Sequence, residues 1–337
     1  MKRPLLTLLA TAMLFSPLAA VTAQADDVRS RMIRFGYGLN ESSNQGRAAK
    51  LFAEEVAKAS EGKLKMRTFA AASLGSDDQM QSALMGGAQE MMVGSTATLV
   101  GITKEMAVWD TPFLFSNEQQ ADAVLDGPVG RQVMDKLEEK GLVGLVYWEN
   151  GFRNMTNNAR PINKLEDFSG IKLRVMPNPV FLETFKLMGA NAVPLPFSEL
   201  FTALETKAVD GQENPFNTIL SSKFYEVQKY LTVTNHVYSP WIVTASKRWW
   251  DGLSATEQGI ILEAAKKARD FERQDTRAEA AKALAQLEEN GMQVNQISAE
   301  EMQRMRERAQ PAIQQVVDTV GQPLFDQVQA ELAKAAN

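Results

Sequence analysis

The sequence predicts an α/β protein built from two lobes, and three observations support this fold class. Strand-like and helix-like segments alternate through residues 33–93, which is typical of a parallel sheet covered by helices. The chain has 337 residues, which is more than the roughly 250–300 at which a single core usually divides. An apolar strand at 142–148 continues in extended form through 152–156, which predicts a crossing from one lobe to the other.

Residues 1–25 are predicted to be an export signal. Lys2 and Arg3 give a positive start, residues 5–15 are mostly apolar, and residues 23–25 are Ala-Gln-Ala, a typical cleavage site. The apolar part is shorter than the ~20 residues that a bilayer span needs, and no other segment approaches that length. We therefore expect a soluble mature protein, free in a Gram-negative periplasm.

Composition excludes several classes of function. The net charge is −5, 45% of the residues are hydrophobic, and no basic face suggests a nucleic-acid partner. The absence of cysteine excludes disulfides, thiolate metal sites and a lipid-modified N-terminal cysteine. The only histidine, His236, cannot form a metal cluster alone, and a structural hydrogen-bonding role suits it better than ligand binding. We expect neither a metal nor another cofactor.

The N-terminal half of the chain predicts the first lobe. Strands at 33–39, 64–69 and 91–93 alternate with a helix over 48–56 and with a second helix that the loop 75–78 opens. Ligands bind beyond the carboxyl ends of the strands in such a sheet. These ends are the loops 40–44, 75–78 and 94–96, which supply Asn40, Asp77 and Ser95 as candidate binding residues. Ordinary turn or cap chemistry is the alternative for any one of them.

Two extended segments are predicted to connect the lobes. The first follows the strand 142–148, and Arg153 lies in it at the point where the chain leaves the first lobe. A side chain at such a crossing is placed to reach into an interlobe cleft, and an interlobe salt bridge explains its position equally well. The segments 227–237 and 241–245 are also extended and predict the return crossing.

The stretch 170–215 carries the main candidate for ligand binding. Ile171, Leu173 and Val175 alternate with polar positions, which predicts a strand with two distinct faces. Asn178 then supplies an N-cap and Pro179 a first helical residue, so a helix is predicted to begin four residues after Arg174. A guanidinium beside free N–H groups at a helix start suits a bound carboxylate. The alternative is a solvated arginine paired with a surface acid.

The C-terminal part of the chain is predicted to be mostly helical. Residues 254–257 form a capping box that opens a helical region reaching to about residues 290–291. At ~1.5 Å per residue this region extends ~50 Å if unbroken, which is enough to lie across both lobes. A short strand at 292–297 follows, and a second capping box at 298–301 opens helices that Pro311 and Pro323 interrupt.

Three blocks of the central stretch resemble a known family. They are Gly-Ile-Lys-Leu-Arg-Val at 170–175, Pro-Phe-Ser-Glu-Leu at 196–200 and Val-Asp-Gly-Gln-Glu-Asn-Pro at 209–215. In this order and spacing they are similar to the DctP-type solute receptors of TRAP transporters, periplasmic proteins that serve sodium-driven uptake of organic acids. The resemblance extends from about residue 33 to the C-terminus.

The resemblance implies a bilobal periplasmic binding protein, with two α/β lobes, crossing hinge strands and a long helix that spans both lobes. On this basis we expect lobe I to comprise residues 26–150 plus about 240–285, and lobe II to comprise 151–239 plus about 286–337.

The same resemblance implies the binding residues. Arg174 matches the strand arginine that grips the substrate carboxylate in the family, and Arg153 matches a second arginine found in many sugar-acid receptors. Asn214 and Phe197 match the family's asparagine and aromatic residue. Where sialic-acid receptors carry a glutamate this chain has Ser95, and where they carry an asparagine it has Gly38. These two differences argue against sialic acid as the ligand.

The function expected from these observations is capture of a small organic acid by its carboxylate. A sugar acid of uronate or aldonate type is favoured, because two arginines and an asparagine suit a hydroxyl-rich monoanion. The alternatives are a C4-dicarboxylate receptor and a receptor that presents its ligand to a sensor kinase. An enzyme is not expected, since thiol and Ser-His mechanisms lack most of their parts. The expected partners are the ligand and the membrane subunits of a TRAP transporter, and the receptor is expected to be a monomer.

Overall fold

A computed structural model describes residues 27–335. The predicted export signal at 1–25 lies outside these residues. Within them, the strands are β1 Arg31–Tyr37, β2 Leu64–Phe69, β3 Met91–Ser95, β4 Leu142–Phe152, β5 Asn154–Asn157, β6 Lys172–Val175, β7 Asn191–Pro194, β8 Gly211–Asn214, β9 Tyr230–Val233, β10 Tyr238–Ser246 and β11 Gln293–Gln296. The helices are α1 Asn44–Ala59, α2 Asp77–Met85, α3 Glu118–Leu125, α4 Pro128–Asp135, α5 Pro179–Leu187, α6 Phe197–Glu205, α7 Phe216–Ser221, α8 Lys247–Trp250, α9 Ala255–Glu289, α10 Ala299–Arg308, α11 Gln310–Val320 and α12 Gln322–Ala335.

The first sheet has five strands in the order β2-β1-β3-β10-β4. The strand β1 is parallel to β2 and β3, as the alternation of strands and helices predicts, whereas β10 is antiparallel to β3 and β4. Alternate residues of β1, namely Ile33, Phe35 and Tyr37, are buried and share one core with Phe52 and Val56 of α1. Burial of these apolar side chains is the main term that fixes α1 on this sheet.

The second sheet has six strands in the order β11-β9-β5-β8-β6-β7. The strand β6 is parallel to β7 and β8, and β5 is antiparallel to β8 and β9. Leu173 and Val175 of β6 are buried with Phe181 and Phe185 of α5, so this sheet has a core of its own. The carboxyl ends of β1, β3 and β6 and the loops after them face the region between the two sheets.

The chain crosses between the sheets at the predicted positions. The strand β4 belongs to the first sheet and β5 to the second, and only Arg153 separates them. The return crossing runs from β9 to β10 through residues 234–237. Gly151 has φ +111°, a conformation that only glycine adopts easily, and it produces an irregularity where β4 leaves the sheet.

The long helix is α9, which runs without a break over 35 residues and is therefore about 52 Å long. Its capping box at Ser254 and Glu257 forms as the sequence predicts. Ile261 near the N-terminal end packs in the first sheet's core, and Leu287 near the C-terminal end packs in a core of the second lobe. The predicted fold class, two α/β lobes with crossing strands and one helix spanning both, is confirmed.

The C-terminal helices differ from the expected division into lobes. We expected residues 286–337 to belong wholly to lobe II, but α12 packs against α3 and α4. Leu324, Val328 and Leu332 of this helix are buried in a core shared with Val124 and Val133 of those two helices. The chain therefore returns to the first lobe at its end, because the apolar face of α12 finds its partner there. No helix in the described part of the chain has the length and hydrophobicity needed to cross a bilayer.

Candidate functional site

A cleft lies between the two lobes and contains about 660 Å³ of space between atoms, part of which is open to solvent. Side chains from loops, strands and helices of both lobes line it. From the first lobe these are Gly38, Leu39, Gln45, Ala72, Ser76, Asp77, Asp78, Ser95, Thr98, Asn150 and Trp241. From the crossing and the second lobe they are Arg153, Arg174, Met176, Pro177, Pro196, Phe197, Ser198, Asn214 and Thr218.

Arg174 is the principal cation of the cleft. It lies on β6 and is only 1% exposed. Its Nε donates to the carbonyl oxygen of Leu195 at 2.8 Å, but Nη1 and Nη2 have no hydrogen-bond partner among residues 27–335. Burial lowers the pKa of the guanidinium to about 10, against the opposing effect of Glu213, so Arg174 remains charged at neutral pH. A buried cation with two open donors is an incomplete site that a planar carboxylate completes.

The helix start after β6 has a different role from the one expected. Asn178 is the predicted N-cap of α5, and its Oδ1 accepts hydrogen bonds from the backbone N–H groups of Val180 and Phe181. These groups are therefore satisfied internally and are not free to bind an anion. The Nδ2 of Asn178 donates to the Ala97 carbonyl oxygen at 2.9 Å and to Asp110 Oδ2 at 2.8 Å. Asn178 thus links α5 to the first lobe, and this helix start supplies no donor for an anion from Val180 or Phe181.

Arg153 lies at the back of the cleft and forms an ion pair with Glu213 of β8. Its Nε contacts Glu213 Oε2, and its Nη2 donates to Oε1 at 2.9 Å, while Nη1 lacks a partner in the described chain. Burial opposes ionisation of Glu213, but Arg153 and His236 outweigh it and hold the pKa of this carboxyl below its usual value. The charge of Arg153 is therefore largely neutralised, and the guanidinium is fixed in one orientation.

His236 has the structural role that the sequence predicts. Its Nε2 lies 3.0 Å from Glu213 Oε2 and its Nδ1 lies 2.8 Å from Thr234 Oγ1. Burial lowers the pKa of the ring, although Glu213 acts in the opposite direction, so the imidazole is neutral at neutral pH. His236 is not among the residues that line the cleft.

Asn214 ends β8 and presents its amide to the cleft. Its Oδ1 accepts a hydrogen bond from Nη2 of Arg153 at 3.2 Å, and its Nδ2 donates to Gln212 Oε1 at 2.6 Å. These two contacts fix the orientation of the amide. A polar group that is held in this way can discriminate between ligands at little cost in side-chain entropy.

Asp77 and Ser95 form the polar wall of the first lobe. Asp77 is the first residue of α2 and accepts a hydrogen bond from the Ser95 backbone N–H at 3.0 Å. Asp77 is partly exposed and lines the cleft. Loss of solvent around its carboxylate raises the pKa of Asp77 to about 6. A Cβ atom at Gly94 would lie 2.9 Å from Asp77 Oδ2, so glycine at that position leaves room for the carboxylate.

Phe197 and Asn40 have different positions relative to the cleft. Phe197 begins α6 and forms an apolar wall, with its ring centroid 6.0 Å from that of Phe224. A Cβ atom at Gly38 would lie 3.9 Å from both Phe197 Cδ1 and Asp77 Oδ1. Asn40 does not line the cleft; its Nδ2 donates instead to the Ser221 carbonyl oxygen of α7 at 2.7 Å. This hydrogen bond links the two lobes.

The structure brings together six of the seven candidates from the sequence, Asn40 being the exception. It adds Gln45, Asn150, Thr218 and Trp241, which the sequence analysis did not identify. Asn150 follows the apolar strand 142–148 at the crossing, and this position is a signal that could have identified it. Gln45 and Thr218 lie in helices and carry no comparable local pattern.

Comparison with known proteins gives a consistent result. The profile described as "Bacterial extracellular solute-binding protein, family 7", the DctP family, matches residues 35–319. The chain is 36% identical over 283 residues to the 2,3-diketo-L-gulonate-binding periplasmic protein of Escherichia coli, covering 84% of this chain and 86% of that one. It is 30% identical over 335 residues to the C4-dicarboxylate-binding periplasmic protein of Rhodobacter capsulatus, covering 98% and 99%.

A solved structure resembles the whole fold. The sugar acid binding protein of Advenella mimigardefordensis, in complex with galactonate, has a TM-score of 0.90 and 50% identity, covering 92% of this chain and all of that one. These relatives are receptors, not enzymes. The two lobes, the cleft between them and the family match over residues 35–319 together show that the chain belongs to the DctP family of solute-binding proteins, the receptors for small acids in TRAP transport.

Proposed function

We propose that this receptor captures a sugar acid of uronate or aldonate type in the periplasm and delivers it to the membrane subunits of a TRAP transporter. The observation that carries the proposal is Arg174, whose two terminal nitrogens are buried at the cleft wall without partners in residues 27–335. A carboxylate can accept two parallel hydrogen bonds from them. Arg174 therefore binds the charged end of the ligand.

The remaining walls suit a chain of hydroxyl groups. Asp77 offers a carboxylate oxygen to a hydroxyl donor, and Asn214 offers an amide that both donates and accepts. Ser95 adds a hydroxyl at the same wall as Asp77. Phe197 and Trp241 supply flat apolar faces on which the C–H groups of a sugar acid can pack. This combination of few charges and many hydrogen-bonding groups favours a polyhydroxy acid.

Arg153 has a secondary role in the proposed site. Because Glu213 neutralises most of its charge, Arg153 is poorly suited to holding a second carboxylate, and its open Nη1 can donate to one ligand oxygen. That open nitrogen, together with the C4-dicarboxylate-binding relative from Rhodobacter capsulatus, favours a C4-dicarboxylate, the second candidate. The names of two relatives, a galactonate complex and a diketogulonate-binding protein, support the sugar-acid proposal. The receptor is proposed to be a monomer.

A thermal-shift panel tests the proposal. The purified mature protein is melted alone and with galactonate, galacturonate, gluconate, erythronate, succinate or malate at several concentrations. A ligand at ~100 times its dissociation constant stabilises the folded state by about 2.7 kcal/mol, which gives a clear rise in melting temperature. We expect this rise with at least one sugar acid and none with sugars that lack a carboxylate.

The panel also discriminates between the two candidates. A rise with succinate or malate, and none with any of the four sugar acids, contradicts the sugar-acid proposal but leaves the receptor function intact. Titration calorimetry with the best ligand then gives the stoichiometry, which we expect to be one acid per chain.

A further inference from the structure

Asp77 is an acidic residue of the cleft that forms no ion pair within residues 27–335. Its Oδ2 accepts the hydrogen bond from the Ser95 N–H at 3.0 Å, and no arginine or lysine of residues 27–335 forms an ion pair with it. Its other oxygen, Oδ1, lies beside Gly38, where a Cβ atom would still be 3.9 Å away. One carboxylate oxygen is therefore free to meet a ligand.

The cleft carries opposite charges on its two walls. Arg174, in the second lobe, has two open donors, whereas Arg153 is paired with Glu213 and adds little net charge. Asp77, in the first lobe, lines the same cavity, and its charge and that of Arg174 influence each other's pKa values. A ligand with one carboxylate that spans the cleft thus has its anionic end at Arg174 and its uncharged end near Asp77.

We propose that Asp77 makes the cleft selective for acids with a single carboxylate, by accepting a hydrogen bond from a hydroxyl at the end of the ligand remote from Arg174 and repelling a second carboxylate there. This inference rests on the proposed function, because it requires that Arg174 hold the first carboxylate. A hydroxyl that donates to a carboxylate forms a strong, charge-assisted hydrogen bond. Two carboxylates placed together at the same site repel each other strongly.

The proposed selectivity should also depend on pH, because Asp77 can be protonated. Burial raises its pKa to about 6, Asp78 of the same helix acts in the same direction, and Arg174 across the cleft opposes it. Asp77 is therefore ionised at neutral pH and becomes neutral at moderately acidic pH. Protonation removes the repulsion and supplies an O–H donor to a ligand carboxylate. Simple carboxylic acids remain ionised at pH 5, since their pKa values are near 4.

The test uses two ligands that differ only at the remote end. Galactonate carries a terminal CH₂OH group, and the aldaric acid of the same skeleton carries a second carboxylate there. Titration calorimetry measures both dissociation constants at pH 7.5 for the wild type, Asp77→Asn and Glu54→Gln. We expect the wild type to prefer galactonate by at least tenfold. Asp77→Asn retains the size and hydrogen-bonding oxygen of Asp77, and we expect it to reduce this preference at least tenfold.

Glu54→Gln is the matched control, because Glu54 is an exposed acid of the same lobe and is not among the residues that line the cleft. We expect it to change the preference much less than Asp77→Asn does. If Asp77→Asn does not fold, the wild-type preference at pH 5 and pH 7.5 decides, and it should fall at pH 5. An unchanged preference in Asp77→Asn, or in the wild type at both pH values, overturns the inference. Failure of the wild type to bind any acid would instead contradict the proposed function.

Discussion

Single side chains in the cleft show how binding and stability compete. Arg174 is 1% exposed with two terminal nitrogens unpartnered in the described chain. A buried charge without partners destabilises a folded protein. In the proposed site, a ligand carboxylate would supply the partners that these two nitrogens lack. Arg153 differs, because its charge is paired with Glu213 within the protein and only its Nη1 has no partner in residues 27–335.

We predict that Arg174→Met strongly weakens ligand binding and raises the melting temperature of the ligand-free protein. Methionine fills a similar volume without a charge, so the loss of the buried cation removes a desolvation cost. Arg174→Lys should also bind poorly, because an ammonium cannot form the two parallel hydrogen bonds. We expect affinity losses of about 2–5 kcal/mol for both variants, measured by calorimetry with the best ligand of the panel.

Lys172→Met is the control for this comparison. Lys172 lies two residues earlier on the same strand but is exposed, so its replacement should leave affinity nearly unchanged. Wild-type affinity in Arg174→Met would remove Arg174 from the carboxylate site. A large fall in its melting temperature would show that the guanidinium has a structural role not visible in its contacts.

Arg174 and its neighbours also show which features of the cleft can be predicted from the sequence alone. The strand with its arginine and the N-cap at Asn178 were predictable, because both depend on residues adjacent in the chain. The pairing of Arg153 with Glu213 was not, since the two residues are 60 positions apart and only the register of β5 with β8 brings them together. Trp241 was missed for the same reason, because it enters the cleft from the return crossing. Asn40 was predicted to bind ligand, but its loop turns it toward Ser221.

Among the secondary-structure elements, α9 packs in the cores of both lobes. Where it passes β4, Glu272 is completely buried. Its Oε2 accepts a hydrogen bond from the Glu149 N–H at 2.7 Å, and its Oε1 accepts one from Thr276 Oγ1 at 2.7 Å. Burial raises the pKa of Glu272 to about 8, although the Glu149 N–H opposes this. This carboxyl lies next to the segment where the chain leaves the first lobe.

We predict that the protein becomes less stable as the pH rises from about 5 to about 8.5. Glu272 has a folded pKa of about 8 against an ordinary value of 4.5, so the folded state binds the proton more tightly than the unfolded state does. The stabilisation is complete below pH 4.5 and is lost as the pH rises through 8. Asp110, whose pKa burial raises to about 8, acts in the same direction. Melting temperatures measured across this range should fall.

Glu272→Gln should flatten this pH dependence, because glutamine is uncharged at every pH and has nearly the same shape. Glu288→Gln is the control, since Glu288 is an exposed residue of the same helix. We expect the control to melt like the wild type at each pH. A Glu272→Gln profile as steep as that of the wild type would mean that Glu272 does not titrate in this range.

The whole molecule is arranged for motion of one lobe against the other. The lobes are connected by the crossings at β4–β5 and at 234–237, by α9, and by the C-terminal helices that return to the first lobe. Hydrogen bonds also link the lobes, at the rim from Asn40 to Ser221 and at the base from Asn178 to Ala97. Hinge motion of this kind is the usual way in which a two-lobed receptor opens to admit a ligand.

We predict that ligand binding closes the cleft, with segments 150–154 and 236–242 acting as part of the hinge. Because both lobes contribute to the cleft wall, a bound acid stabilises the closed arrangement. Small-angle scattering should show a smaller radius of gyration at saturating ligand. Arg174→Met under the same conditions provides the control and should show no change. Superimposable wild-type curves with and without ligand would instead indicate a rigid site.

The return of α12 to the first lobe has a practical consequence. The described chain begins at Asp27, where Thr256 Oγ1 of α9 lies 3.4 Å from Asp27 Oδ2, and it ends with Leu332 packed against the helices of the same lobe. Both ends of the described chain therefore lie on the first lobe, and the predicted closure would leave the distance between them unchanged. Energy transfer between two fluorescent proteins fused at these ends would therefore not change when a ligand binds. A receptor immobilised through either end would keep its second lobe free to move.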